Sequence, residues 1–204
     1  MTKIKNTIIH VNVGALSHSI HLNNTLNNNN YKSDFLTMYP HFKIDNNFKK
    51  TNTIISKSFF STLYFFLYKL EKYNFIKKIN SYIQKIAYSK IDKYILDNIN
   101  NYSIFIIQAS LAKKTLPFLK NKITLLNKWS AHVKVEKKIA KDEFQKRNIK
   151  IPYELLGSSN EFQYNQELNE YNLVDKIIVP SKFAYKSFID EGVDPSKLKI
   201  IELA

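Results

Sequence analysis

Short β-branched runs alternate with helical stretches along most of this chain, and that alternation limits the fold more than any other feature of the sequence. Thr7–Val13 (TIIHVNV) reads as a strand that ends at Gly14. A helical segment follows from Ser17 to Asn28, with Ile20, Leu22 and Leu26 as its buried candidates. The Asn27–Asn30 tract reads as a loop and Ser33–Thr37 as a second strand. Strand, glycine turn, helix, strand is the opening of a βαβ unit. The pattern resumes with Ser103–Gln108 (SIFIIQ) as a strand, Leu111–Leu119 as a short helix interrupted by Pro117, and Lys122–Asn127 (KITLLN) as a strand. Helices are then expected at Val133–Arg147 and Asn160–Leu173, and a strand at Asp175–Val179 that Pro180 stops. Ser181–Glu191 reads as a helix with Ser181 as its N-cap and Gly192 just past its end, before a last strand, Leu198–Leu203. Strands that alternate with helices predict an α/β fold: a Rossmann-like, mainly parallel sheet with helices on both faces.

The length, 204 residues with 44% hydrophobic content, suits one core, and residues 1–204 are expected to form one domain. The chain has no cysteine, which excludes disulfides and thiolate–metal sites. Its formal charge of +14 attracts phosphate in any form, whether nucleic acid, anionic lipid or nucleotide-sugar. The apolar run after the basic residues Met1–Asn6 is broken by His10 and Asn12, so it does not read as a secretory signal. The longest other uncharged apolar stretch, Ser58–Tyr68, falls far short of the ~20 residues that span a bilayer. A cytosolic or membrane-peripheral protein is expected.

Ser56–Asn98 differs from the rest in being helical in period and dense in aromatics. Phe59, Leu63, Phe66, Leu70 and Tyr73 recur at three- and four-residue spacing, and Ile76, Ile79, Ile83 and Ile86 do so after a break at Asn74. Lysines 77, 78, 85, 90 and 93 occupy other faces. The region can cover the sheet, lie on an anionic membrane, or bind nucleic acid. The last is least favoured, because the aromatics sit at core-like helical spacing rather than on a strand platform.

One long block, Glu167–Leu203, carries Glu170-Tyr171, Val174-Asp175, the strand Ile177–Val179 running into Pro180-Ser181, then Ser187-Phe188 and Gly192-Val193. In order and spacing it resembles the end of the N-terminal domain of family 4 glycosyltransferases, enzymes of the two-domain GT-B architecture. Leu126–Glu143 resembles the segment after that family's central strand, where one branch has Arg-Gly-Ser-Ser-His. Ser130 and His132 match it, while Lys128 and Trp129 stand in place of the Arg-Gly pair. Val13–His18 resembles that branch's first loop, which carries a Gly and a His.

The resemblance implies the acceptor-side half of a retaining glycosyltransferase that needs no metal or other cofactor. Its partners would be a nucleotide-sugar donor, held mainly by a C-terminal domain, and a sugar or lipid-linked acceptor. The sequence stops where that donor-binding half should begin, so these residues are expected to be inactive alone. The alternatives are a non-catalytic product of a truncated or split gene, and a basic nucleic-acid-binding protein.

The candidate site residues follow from the same blocks. Gly14 allows a tight turn that brings backbone N–H groups towards a ligand, and Ser17 and His18 open the next helix. Ser130 and His132 emerge at the carboxyl edge of the sheet, where ligands of open α/β sheets bind. His132 is the candidate catalytic residue, able to donate to a sugar or to a developing charge, although such a Ser/His pair also serves as a helix cap. Lys128 adjoins this edge as a candidate phosphate contact, or as a surface lysine. Glu167 and Glu170 are expected on a solvated helix face, which makes a hydrolytic carboxylate pair untenable. Tyr171, Phe183 and Phe188 are expected to pack in the core.

Overall fold

A computed structural model describes residues 7–13, 18–51, 53–68, 74–150 and 158–202. The chain divides into two compact units, residues 1–124 and 125–204.

The first unit holds β1 (Thr7–Asn12), α1 (His18–Asn28), β2 (Lys32–Thr37), α2 (Asn46–Thr51), β3 (Thr53–Ser56), α3 (Phe59–Tyr68), α4 (Asn74–Asp97) and β4 (Ile104–Gln108). Its strand order is β3-β2-β1-β4, and every described pair is parallel. The buried residues Ile8, Ile9, Val11, Leu36, Phe105 and Ile107 come from the three inner strands, and Ile91 and Ile95 come from α4. Strands buried on both faces read as near-continuous apolar runs, as β4 (IFIIQ) does. A polar ladder fixes α1 to β2: the Ser33 hydroxyl donates to Asn23 Oδ1 (2.5 Å), the Ser33 amide donates to Asn27 Oδ1 (2.9 Å), and Asn27 Nδ2 donates to the Ser33 carbonyl (3.0 Å). These side chains are why an asparagine tract with little apolar content still holds its helix. Leu22 and Leu26, expected in the core, are only half-buried, whereas Ile20 is fully enclosed.

The second unit holds most of β5 (Ile123–Asn127), then α5 (Val133–Lys146), α6 (Ser158–Leu173), β6 (Lys176–Val179), α7 (Lys182–Asp190) and β7 (Leu198–Ile200). β6 lies between β5 and β7, parallel to both. The Ser181 hydroxyl accepts from the Ala184 amide (3.1 Å) and caps α7, and Gly192 follows that helix at φ +83°, a conformation that favours glycine. Seven strands alternating with helices, parallel in every described pair, make an α/β, Rossmann-like fold.

Some expectations need correction, and one strand went unmarked. β3 lies in a stretch where the sequence marked no element, because a four-residue edge strand is too short to show a period. Leu111–Leu119 is not a helix beyond one 3-10 turn at Leu116–Phe118. Pro117 lacks an N–H, and the amides of Lys114 and Thr115 donate instead to the buried Asp92 carboxylate of α4 (2.7 and 3.0 Å). Phe183 is exposed rather than core, although Phe188 and Tyr171 are buried. The stripe Phe59, Leu63 and Phe66 is exposed too, while Leu70 and Tyr73 lie outside the described residues.

His10 sits in the middle of β1, fully buried, edge-on to Phe35 at 5.5 Å between ring centroids. Neither ring nitrogen has a hydrogen-bond partner among the described residues. Burial lowers its pKa to about 3, so the native ring stays neutral. The unfolded chain takes up a proton below about pH 6.5 that the folded ring refuses until about pH 3. The stability that follows is complete above pH 6.5 and falls with acidification by about 1.4 kcal/mol per pH unit. His10→Leu should therefore flatten the difference in urea stability between pH 7 and pH 5, and raise stability at pH 7 by about 1–3 kcal/mol. A variant weaker than the parent at pH 7, with an unchanged pH slope, would show that the ring has a partner.

Candidate functional site

In each unit the parallel strands end at loops where an open α/β sheet binds ligands. In the first unit the strand order reverses between β1 and β4, which makes their carboxyl ends a topological switch point. There the Val13 amide donates to Gln108 Oε1 (3.0 Å), and Asn12 Nδ2 donates to the Ser19 hydroxyl in the first turn of α1. Gly14 and Ser17 lie outside the described residues. His18 opens α1, and its side chain is likewise outside the description.

A residue that the sequence gave no reason to single out stands at this switch point. Ser110, two residues past β4, is buried and holds φ +76°. The left-handed region costs a residue with a Cβ roughly 1–2 kcal/mol, and such strain gathers at functional sites. Asn30 and Asn148 also have positive φ, but each directly follows a helix, where asparagine is an ordinary terminator. A glycine at position 110 would have signalled the turn; a serine does not.

In the second unit Lys128, Ser130 and His132 occupy the loop between β5 and α5. The Lys128 amide extends the sheet by donating to the Ile178 carbonyl (2.9 Å). Its side chain is buried and its Nζ lies 2.9 Å from Glu136 and 2.8 Å from Glu167. Burial works against the charged amine, but the two carboxylates more than reverse that and raise its pKa. The Tyr171 hydroxyl donates to Glu167 (2.9 Å), and burial followed by the Glu167 charge raises the phenol's pKa. The positive charge proposed for phosphate contact is thus engaged by two carboxylates.

The solvated face expected for Glu167 and Glu170 is a buried one. Glu167 is drawn in by Lys128, and Glu170, 2% exposed, accepts from Gln166 Nε2 (2.9 Å). Buried carboxylates are found paired or hydrogen-bonded, as both are here. Their partners are engaged in structure, so the rejection of a hydrolytic pair stands on new grounds.

His132 is the N-cap of α5. Its Nδ1 accepts from the Lys134 amide (3.3 Å), and its own amide donates to the Ser187 hydroxyl (2.8 Å), which in turn donates to the Ala184 carbonyl (2.6 Å). The ring packs 4.9 Å from Tyr171 and 5.0 Å from Phe188, which are 4.9 Å from each other. Burial lowers its pKa to about 4, so the ring is neutral at pH 7. Since Nδ1 accepts the cap bond, the proton of the neutral ring belongs on Nε2. The ring is therefore a fixed neutral donor rather than a cation. Ser130 is half-buried in the same loop.

Asn127, the last residue of β5, is buried, and neither amide atom has a hydrogen-bond partner among the described residues. Its place directly before the Lys128–His132 loop makes it a further candidate for polar contact with a ligand. Nothing in the sequence marks it, since asparagine is frequent throughout. No group of three His, Cys, Asp or Glu suited to a metal occurs among the described residues.

No protein-family model matches the chain, and no curated protein does. Among solved structures it is similar to a UDP-glucosyltransferase from Polygonum tinctorium capable of glucosylating indoxyl, in complex with 3,4-dichloroaniline, at 8% identity and a TM-score of 0.49. That likeness covers 98% of this chain and 52% of the other. It is also similar to a protein assigned as a UDP-N-acetylglucosamine 2-epimerase from Listeria monocytogenes, at 11% identity and a TM-score of 0.48, over 94% of this chain and 43% of the other. The chain thus spans about half the length of the first and less than half of the second.

Proposed function

We propose that this chain is the acceptor-side half of a retaining, metal-independent glycosyltransferase of the family 4, GT-B type, which uses a nucleotide-sugar bound by a second half. One observation carries the reading. The residues that bear the family resemblance in two separated sequence blocks, Ser130 and His132 in one and Tyr171, Ser187 and Phe188 in the other, belong to one loop and the cluster that holds it. That loop follows the carboxyl end of a parallel strand. Independent drift of the two blocks would not be expected to leave the hydroxyl of one under the amide of the other.

In this reading His132 is the residue nearest the chemistry. Transfer at an anomeric carbon passes through a positively charged, oxocarbenium-like centre. A ring held neutral avoids repelling that charge, and an Nε2–H is the kind of donor that a sugar hydroxyl accepts from. Ser130 and Lys128 shape the loop, and Gly14, Ser17 and His18 would contribute acceptor contacts from the first loop.

Two substitutions separate the catalytic role of His132 from its capping role, in an assay where a donor-binding half is supplied. Asparagine caps helices well and alanine does not, a difference of about 0.5–2 kcal/mol. His132→Asn should keep the fold and still lower transfer by at least about 100-fold. If His132→Asn transfers sugar at the parent rate while His132→Ala fails only through lost stability, the histidine is a cap and the assigned catalytic residue is wrong.

A further inference from the structure

The first unit carries an exposed face that the proposed transfer reaction does not use. α3 exposes Phe59 (75%), Leu63 (37%) and Phe66 (67%), which lie at i, i+4 and i+7 and so share one side of the helix. The ten residues of α3 include no charged side chain. α4, which packs against α3, buries Ile83, Ala87, Ile91 and Ile95. It exposes Phe75, Lys78, Tyr82 and Lys85 at i, i+3, i+7 and i+10, again one side. Nine lysines and a single glutamate lie between Asp45 and Asp92. Among the described residues no helix is long and apolar enough to cross a membrane.

We propose that the exposed faces of α3 and α4 dock on an anionic phospholipid surface, with the phenylalanines set among the acyl chains and the lysines at the headgroups. Exposed aromatic and aliphatic side chains on a short in-plane helix are the pattern of interfacial binding, and a cluster of lysines near the surface adds electrostatic attraction. Charge complementarity selects this occupant over two others. A second copy of the chain would bring the same excess of lysine against itself. A nucleic acid would meet, on α3, a face with no cation to contact its phosphates. The inference does not depend on the transfer reaction and can fail or succeed without it.

The test is co-sedimentation of the 204-residue protein with vesicles of phosphatidylcholine alone and of phosphatidylcholine mixed with phosphatidylglycerol. Preferential binding to the mixed vesicles is expected, weakening as salt is raised. Phe59→Ser/Phe66→Ser should reduce partitioning by about tenfold or more with an unchanged circular dichroism spectrum. Lys78→Gln/Lys85→Gln should reduce it by about fivefold or more at low salt. The proposal is overturned if neutral and anionic vesicles bind equally, if neither type binds, or if the phenylalanine variant binds like the parent. It is also overturned if size-exclusion chromatography with light scattering shows a dimer that Phe66→Ser dissociates.

Discussion

Lys128→Met should destabilise the second unit by about 3–5 kcal/mol, far more than removal of a lysine from a basic surface would suggest. The cause is what the substitution leaves behind. Glu167, with only 12% of its side chain exposed, would lose the cation 2.8 Å away and face Glu136 across the vacated position. The Tyr171 hydroxyl, which donates to Glu167 (2.9 Å), would be left holding a carboxylate without its lysine. Its ring packs on His132 and Phe188, so the loss should spread to the α5 cap. A second substitution isolates the mechanism: in Lys128→Met/Glu167→Gln the buried charge is gone, and most of the stability should return. Trp129 is the only tryptophan and is half-buried beside Lys128, so its fluorescence in urea follows this unit. A single variant within about 1 kcal/mol of the parent would show that water, not Lys128, carries the carboxylates.

The parts of this fold legible in the sequence were those fixed by local chemistry. The alternation of short strand-like runs with helical stretches marked six of the seven strands, and Ser181 and Gly192 marked both ends of α7, because strand preference, capping and left-handed turns depend on a few neighbouring residues. The parts missed depend on partners remote in the chain. Lys128 reads as a surface lysine until Glu167 is beside it, and the solvated position assigned to Glu167 fails for the same reason. The 111–119 stretch has the composition of a short helix, yet Asp92 of α4 takes its amides. Spacing placed Phe59, Leu63 and Phe66 correctly on one side of a helix. It could not say whether that side faces the core or the solvent. Of the candidate site, Ser130 and His132 were named from motif order, and the cap that His132 forms was among the roles foreseen. Asn127 and Ser110 were not found, since an orphaned amide and a positive φ leave no trace in residue type.

Sugar transfer on complementation tests the central claim most directly. Holding two reactants in register can supply about 7–11 kcal/mol of a barrier, and a half-site that binds one of them supplies none of it. Mixed with a nucleotide-sugar and an acceptor, these 204 residues alone should give no transfer above background. Addition of a matching donor-binding half should raise the rate by several orders of magnitude, with the anomeric configuration retained in the product as read by proton NMR. Robust turnover of a nucleotide-sugar by the purified 204-residue protein, or a complemented reaction that inverts the anomeric centre, would contradict the account.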